Sequence, residues 1–229
     1  MHKLESIAER IRKNFDSRTA AREQALEHAR KLTQACSKAI RAAHVEDTPA
    51  MQALLLEARR LADTLRNSLA TYPDLYHAGY TQDSLKEYVE ANVTCALIRN
   101  QPLPTPEELV VEPVTFLNGL AEVPGELRRR TLDILRHGYS AEAERLLGAM
   151  DEIYSVLVTM SYPDAITNGL RRQTDLARGI IEKTRGDITF SLRGGQLEKA
   201  IGGLISRMDG DPPPGAEGGG ALPIMDEDD

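Results

Sequence analysis

The chain is 229 residues long, with 28 basic and 35 acidic side chains, two cysteines and no tryptophan. That length suits one well-filled domain, and two cysteines are too few for a disulfide-stapled scaffold or a zinc motif. The opening "MHKLESIAERIRKNF" lacks the apolar core of a secretory signal, and no run is long and apolar enough to cross a bilayer. A soluble, cytoplasmic protein with no membrane contact is expected.

The formal charge of −7 is unevenly spread. Residues 209–229, "DGDPPPGAEGGGALPIMDEDD", hold seven acids and no Lys or Arg. They lack core-forming residues and are expected to be a disordered acidic tail behind a helical domain over 1–208. Within that domain, 61–126 carry three basic against ten acidic residues, between 1–60 with twelve against eight and 127–208 with thirteen against ten. An acidic centre with basic flanks suits a metal site beside a surface that holds a polyanion.

Ala, Leu, Glu and Arg dominate, and nothing alternates with the two-residue period of a half-buried strand. The fold class read from this is all-α. A first long helix is predicted from Ser17 to His44, where Ala25, Leu32, Cys36 and Ile40 recur at helical spacing. "EDTP" ends it, with Thr48 as N-cap and Pro49 as a favourable first residue of the next helix. After a loop, "TYPDLYHAGYT", a helix from Gln82 to Asn100 carries Leu85, Tyr88, Val89, Val93 and Ala96 inward. The proline-rich "QPLPTPEELVVEP" connects it to a helix opened by Pro113, with Leu117, Leu120, Val123 and Leu127 as its stripe. Gly138 stops that helix and Ser140 caps another of about twenty residues. A last, arginine-rich helix is predicted from Thr167 to Leu192. Cys36 and Cys95 fall within helical patterns and are expected to be small buried thiols.

Two glutamate pairs stand out. Glu87 and Glu90 in "SLKEYVEAN" and Glu122 and Glu126 in "GLAEVPGEL" are spaced three and four apart, so each pair projects from one side of its helix. Two such helices side by side would aim four carboxylates at one point. Hard divalent cations prefer oxygen ligands, and clustered carboxylates must either take up protons or be neutralised by a cation. The competing expectation is four solvated glutamates on polar helix faces. His2, His28, His44, His77 and His137 form no pair at short helical spacing and are expected at surface or capping positions.

The segment "YHAGYTQDSLKEYVEANVTCALI" resembles the most recognisable stretch of the translin family, in particular its nuclease-competent branch, translin-associated factor X. "AREQALEHARKLTQACSKAIRAAH" is similar to the family's first long helix, "TFLNGLAEVPGELRRRTLDIL" to its second acidic helix, and "NGLRRQTDLARGIIEKTRGDITFSLRGG" to its basic last helix. The resemblance spans residues 15 to 200. It implies a bundle of about seven helices whose protomers assemble into a hollow, roughly octameric homo-oligomer. It also implies cleavage of short single-stranded RNA, with single-stranded DNA as a further substrate, by water acting at magnesium, or manganese in its place. Glu87 and Glu90 match the family's acidic pair and Glu126 the glutamate of its glycine-glutamate-leucine motif. Glu122 stands where the family often has aspartate. Glu87, Glu90 and Glu126 would then be ligands or orienters of the attacking water, and Glu122 a ligand or general base.

Candidate nucleic-acid contacts are Arg128 and Arg129, which follow Glu126, and Arg171, Arg172, Arg178, Lys183, Arg185 and Arg193 of the last helix. With few aromatics for base stacking, binding should rest on phosphate contacts and weaken with salt. The alternative is a non-catalytic homo-oligomeric single-strand binder of the translin type. A ferritin-like carboxylate protein would need Glu-x-x-His pairs, and the chain has none.

Overall fold

The computed structural model describes residues 2–210, with side chains through 207. Among the described residues there is no strand. Six long helices and three single turns follow in order: α1 (His2–His44), α2 (Thr48–Ser68), α3 (Pro73–Tyr76), α4 (Gly79–Ile98), α5 (Pro106–Leu109), α6 (Pro113–Leu135), α7 (Ala141–Thr159), α8 (Asp164–Thr167) and α9 (Leu170–Gly210). None of them is long and apolar enough to cross a membrane. Residues 211–229, most of the expected acidic tail, lie outside the described residues.

The elements start and stop where local chemistry dictates. Asp47, rather than Thr48, caps α2 by accepting from the backbone N–H of Ala50, and Pro49 sits in the first turn. Thr105 and Glu108 form a reciprocal capping box on α5. Ser140 caps α7 as its sequence suggests. The stretch read as a loop after α2 contains α3, begun by Pro73.

Two helices are much longer than their apolar stripes. The first buried residue of α1 is Ala25, so the turns from His2 onward leave no inward stripe for a periodicity argument to detect. Charged residues of good helix propensity hold them, with an Arg12–Glu9 pair one turn apart. Likewise α9 runs through Gly194, Gly195, Gly202 and Gly203 to Gly210, past the stop expected near Leu192. Both extensions expose apolar side chains at helical spacing: Leu4, Ile11 and Phe15 on α1, and Leu197, Ile201 and Leu204 on α9, continuing from exposed Phe190.

In the packing order α1 lies against α2 and α4, α4 against α6, and α6 against α7 and α9. The central pair is α4 and α6, and one core runs through the bundle from Leu32 and Cys36 of α1 to Leu146 and Met150 of α7. Cys36 and Cys95 are free and buried, as expected. Cross-links tie the outer helices to the middle. The Arg145 guanidinium donates to the Leu97 carbonyl, 2.9 Å away, and buried Asn118 donates to the Thr167 carbonyl at 3.0 Å.

The central pair is set by three contacts in parallel register. The Thr115 hydroxyl donates to Gln82 Oε1 at 2.6 Å, Gly119 faces Lys86 and Val89, and Lys86 reaches Glu122. At Gly119 the two backbones approach so closely that a Cβ would lie 2.7 Å from the Lys86 carbonyl oxygen and 2.7 Å from Val89 Cβ. Neither atom belongs to a flexible side-chain end. We therefore expect Gly119→Ala to destabilise the fold by about 1–3 kcal/mol, the usual cost of overpacking. Thermal denaturation should show Tm lower by several degrees, whereas Gly125→Ala, where a Cβ meets open space, should not lower it. Equal melting of the two variants would refute the close approach.

Candidate metal centre and nucleic-acid surface

Because α4 is the central helix, it is buried on several sides: Leu85, Tyr88 and Val89 are inaccessible, and so are Val93, Thr94 and Cys95. Glu87 and Glu90 project from this otherwise enclosed helix and are half-buried, as are Glu122 and Glu126 on α6. None of the four is fully exposed, unlike a freely solvated glutamate on a polar helix face. α6 is a single helix across Pro124, so Glu122 and Glu126 stay one turn apart on the side facing α4.

One carboxylate oxygen from each of Glu87, Glu90 and Glu122 lies within 4.8 Å of the others, the spacing of a shared cation site. Burial, reinforced by the charges of Glu87, Glu122 and Glu126, pushes the Glu90 carboxyl up to about 8. Burial and then Glu122 also raise Glu87. Beneath them, the Cys36 thiol of α1 is held far above its ordinary range by burial and by the charges of Glu87 and Glu90. No reactive thiolate contributes to the site.

Glu126 stands apart from this trio, engaged by a residue that sequence reasoning had assigned to a surface or capping position. His44, the last residue of α1, is buried, and its Nε2 lies 2.6 Å from Glu126 Oε2. The His44 hydrogen bond holds the Glu126 carboxyl below its ordinary value. His44 is itself anchored, because Arg130 donates to its carbonyl at 3.0 Å and pairs with Glu46 in the α1–α2 turn. A last-turn histidine 82 residues from its partner has no sequence spacing to reveal it. Only the path of α1 brings the two together.

Lys86 is the second residue missed. Its Nζ lies 2.7 Å from Glu122 Oε1, and Gln173 of α9 approaches the same oxygen at 3.5 Å. Lys86 precedes Glu87 in sequence, so a helical wheel turns it toward the neighbouring helix rather than onto the glutamate face. Its long stem crosses to α6 there.

The basic residues expected to hold nucleic acid are in varied states. Arg128 is committed to the α6–α9 seam, pairing with Asp187 at 2.8 Å and donating to Thr184 at 3.1 Å. Arg178 pairs with Glu182 along its own helix and Arg185 with Asp151 of α7. Arg129 is exposed, 3.9 Å from Glu126. Arg171, Arg172, Lys183 and Arg193 are exposed, and no ion-pair partner is found for them among the described residues.

The raised Glu90 carboxyl carries a pH prediction. Between the ordinary value of 4.5 and about 8, the folded protein holds a proton at Glu90 that the unfolded chain releases. The stability from that proton is greatest below 4.5, declines as pH rises and is gone above about 8. Between pH 6 and 8.5, metal-free protein should melt at progressively lower temperature, and Glu90→Gln should flatten the slope. Manganese should raise Tm most at the alkaline end, where it no longer competes with the proton. A slope unchanged by Glu90→Gln would place the titration elsewhere.

No protein-family model matches the chain. An uncharacterised protein of Methanocaldococcus jannaschii is 33% identical over 187 residues, covering 81% of this chain and 82% of that protein. Among solved structures, AfC3PO is 33% identical with a TM-score of 0.75, covering 82% of this chain and 97% of its own. AfC3PO in complex with duplex RNA is 32% identical at a TM-score of 0.76, with the same coverage. Apo-NeC3PO, 22% identical with a TM-score of 0.74 over 80% of this chain, shares the fold. C3PO is the complex of translin and translin-associated factor X. With the bundle, the order of its helices and a third of the aligned residues held in common with AfC3PO, the chain belongs to the translin and translin-associated factor X family.

Proposed function

We propose that the protein is a metal-dependent ribonuclease of the translin-associated factor X type, cutting short single-stranded RNA inside a homo-oligomeric shell of about eight subunits. The observation that carries the reading is the half-buried trio of Glu87, Glu90 and Glu122, with oxygens within 4.8 Å of one another. Such a cluster is costly unless protonated or neutralised, and its all-oxygen donor set fits a hard divalent cation. Glu87, Glu90 and Glu122 would hold magnesium or manganese. When bound, the ion supplies charge stabilisation at the phosphate and activation of water.

The protein's own groups supply the rest. Glu126, kept ionised by its His44 hydrogen bond, is a base able to accept a proton from water. His44 orients that carboxylate, and Arg130 holds His44. Lys86 balances charge on Glu122 and can follow a phosphate as a point charge. AfC3PO in complex with duplex RNA supports nucleic-acid binding by this fold. The exposed apolar faces at the start of α1 and along the end of α9 support self-association, since such surfaces mark interaction sites.

One observation favours a second reading. The Lys86–Glu122 ion pair already neutralises one of the three carboxylates. A shell that binds single strands without cutting them would keep that pair closed.

Labelled single-stranded RNA, duplex RNA and single-stranded DNA should each be incubated with the purified protein in magnesium and in chelator. We expect single-stranded RNA to be cut in magnesium alone, and Glu90→Gln to lower the rate by at least about a hundredfold, the scale of an essential electrostatic contact. Binding without cleavage in magnesium or manganese would establish the second reading. His44→Ala should lower kcat about tenfold or more while leaving the manganese-induced rise in Tm intact, because of the four glutamates the His44 side chain bonds Glu126 and none of the trio. Loss of that rise would make Glu126 part of the metal's hold.

A further inference from the structure

A groove of about 850 Å³ runs between α1 and α4. Arg30, Lys38 and Arg41 of α1 form one wall, and Tyr80, Asp83 and Glu87 of α4 lie across from them. The three cations are exposed and make no ion pair among the described residues. Between Glu27 and Glu46, α1 carries Arg30, Lys31, Lys38 and Arg41 and no acidic residue. The metal trio and the groove share Glu87.

We infer that this groove is the track of the RNA strand to be cut, with Arg30, Lys38 and Arg41 gripping successive phosphates and the bond to be broken delivered beside Glu87. The assignment rests on the proposed nuclease reading and moves the main phosphate contacts from α9 to α1. Ion pairing with the centre does not account for these residues: Glu122 is paired with Lys86 and Glu126 with His44, and none of the four carboxylates pairs with Arg30, Lys38 or Arg41 among the described residues. The spacing suits a strand: from Arg30 to Arg41 the helix rises about 16 Å, room for a few consecutive phosphates. The two walls have opposite roles. Phosphates lie along the basic α1 side, while Asp83 and Glu87 repel them from the α4 side except where a cation intervenes.

The groove also selects the form of the nucleic acid. The groove lies on the seam of two packed helices and carries its cations on the α1 wall alone, so it offers phosphate contacts to one sugar–phosphate backbone. A duplex would reach the basic wall with one strand while its partner strand lay outside. Tyr80, with Arg22 5.9 Å from its ring centroid, marks the far end and offers a stacking surface for a base.

The test compares full-length wild type with an Arg30→Ala, Lys38→Ala, Arg41→Ala triple variant, using fluorescence anisotropy of a labelled single-stranded RNA 12-mer in chelator at several salt concentrations. We expect the triple variant to bind about tenfold or more weakly at moderate salt, with the slope of log K against log salt reduced by about 2, as three lost single-strand contacts require. An Arg30→Lys, Arg41→Lys variant should bind nearly as wild type, because a phosphate grip needs the charge and not the guanidinium plane. The manganese-induced rise in Tm, measured on the triple variant, should match wild type and certifies a folded metal centre. Unchanged affinity and slope in the triple variant, with weakened binding in Arg171→Ala, Arg172→Ala, would put the strand along α9 and overturn the groove while leaving the nuclease reading intact. No binding of RNA by wild type at low salt would overturn both.

Discussion

The close approach of α4 and α6 at Gly119 is the constraint on which the rest of the molecule depends. A glycine there lets the α6 backbone sit against the Lys86 carbonyl and Val89, and the Gln82–Thr115 bond sets the register one turn earlier. Since the helices run parallel, the same register carries forward by a turn. It sets Glu87 and Glu90 beside Glu122 without any loop having to shape the site. Rigid helices hold ligands more precisely than loops can. The core under the pair, from Leu85 to Leu127, is therefore also the support of the carboxylates.

Electrostatics then distinguishes four glutamates that look equivalent by type. Glu90, the most enclosed, is pushed toward its neutral form; Glu126, bonded to His44, is pulled toward its charged form. Carboxyls driven in opposite directions are the usual signature of divided chemical roles. Glu122 has a third environment, shared between the trio and the Lys86 ammonium. Its side chain sits on the balance between holding a cation and closing on a lysine, which is the physical difference between the catalytic and binding-only readings.

Around this centre the helices have contrasting surfaces. The middle of α1 shows a basic wall to the groove, unpaired among the described residues, while its first turns and the end of α9 show apolar side chains to solvent. Two arginines of α9 are bound up in pairs, Arg178 with Glu182 and Arg185 with Asp151. A basic residue committed to a carboxylate partner has less to offer a phosphate, so counting arginines along a helix overstates its affinity for nucleic acid.

Local rules were enough for the all-α class, the cap at Ser140, the helix start at Pro113, the buried cysteines and the two glutamate pairs, because each depends on spacing within one helix. The family resemblance came from the same local strings. Sequence spacing did not reveal the partners across helices. His44 on Glu126 and Lys86 on Glu122 join residues 82 and 36 positions apart. It also missed the outer lengths of α1 and α9, where no buried stripe marks the helix. Periodicity reports which side of a helix is apolar; only packing decides which carboxylates meet, which one finds a histidine, and which cations stay free beside a groove.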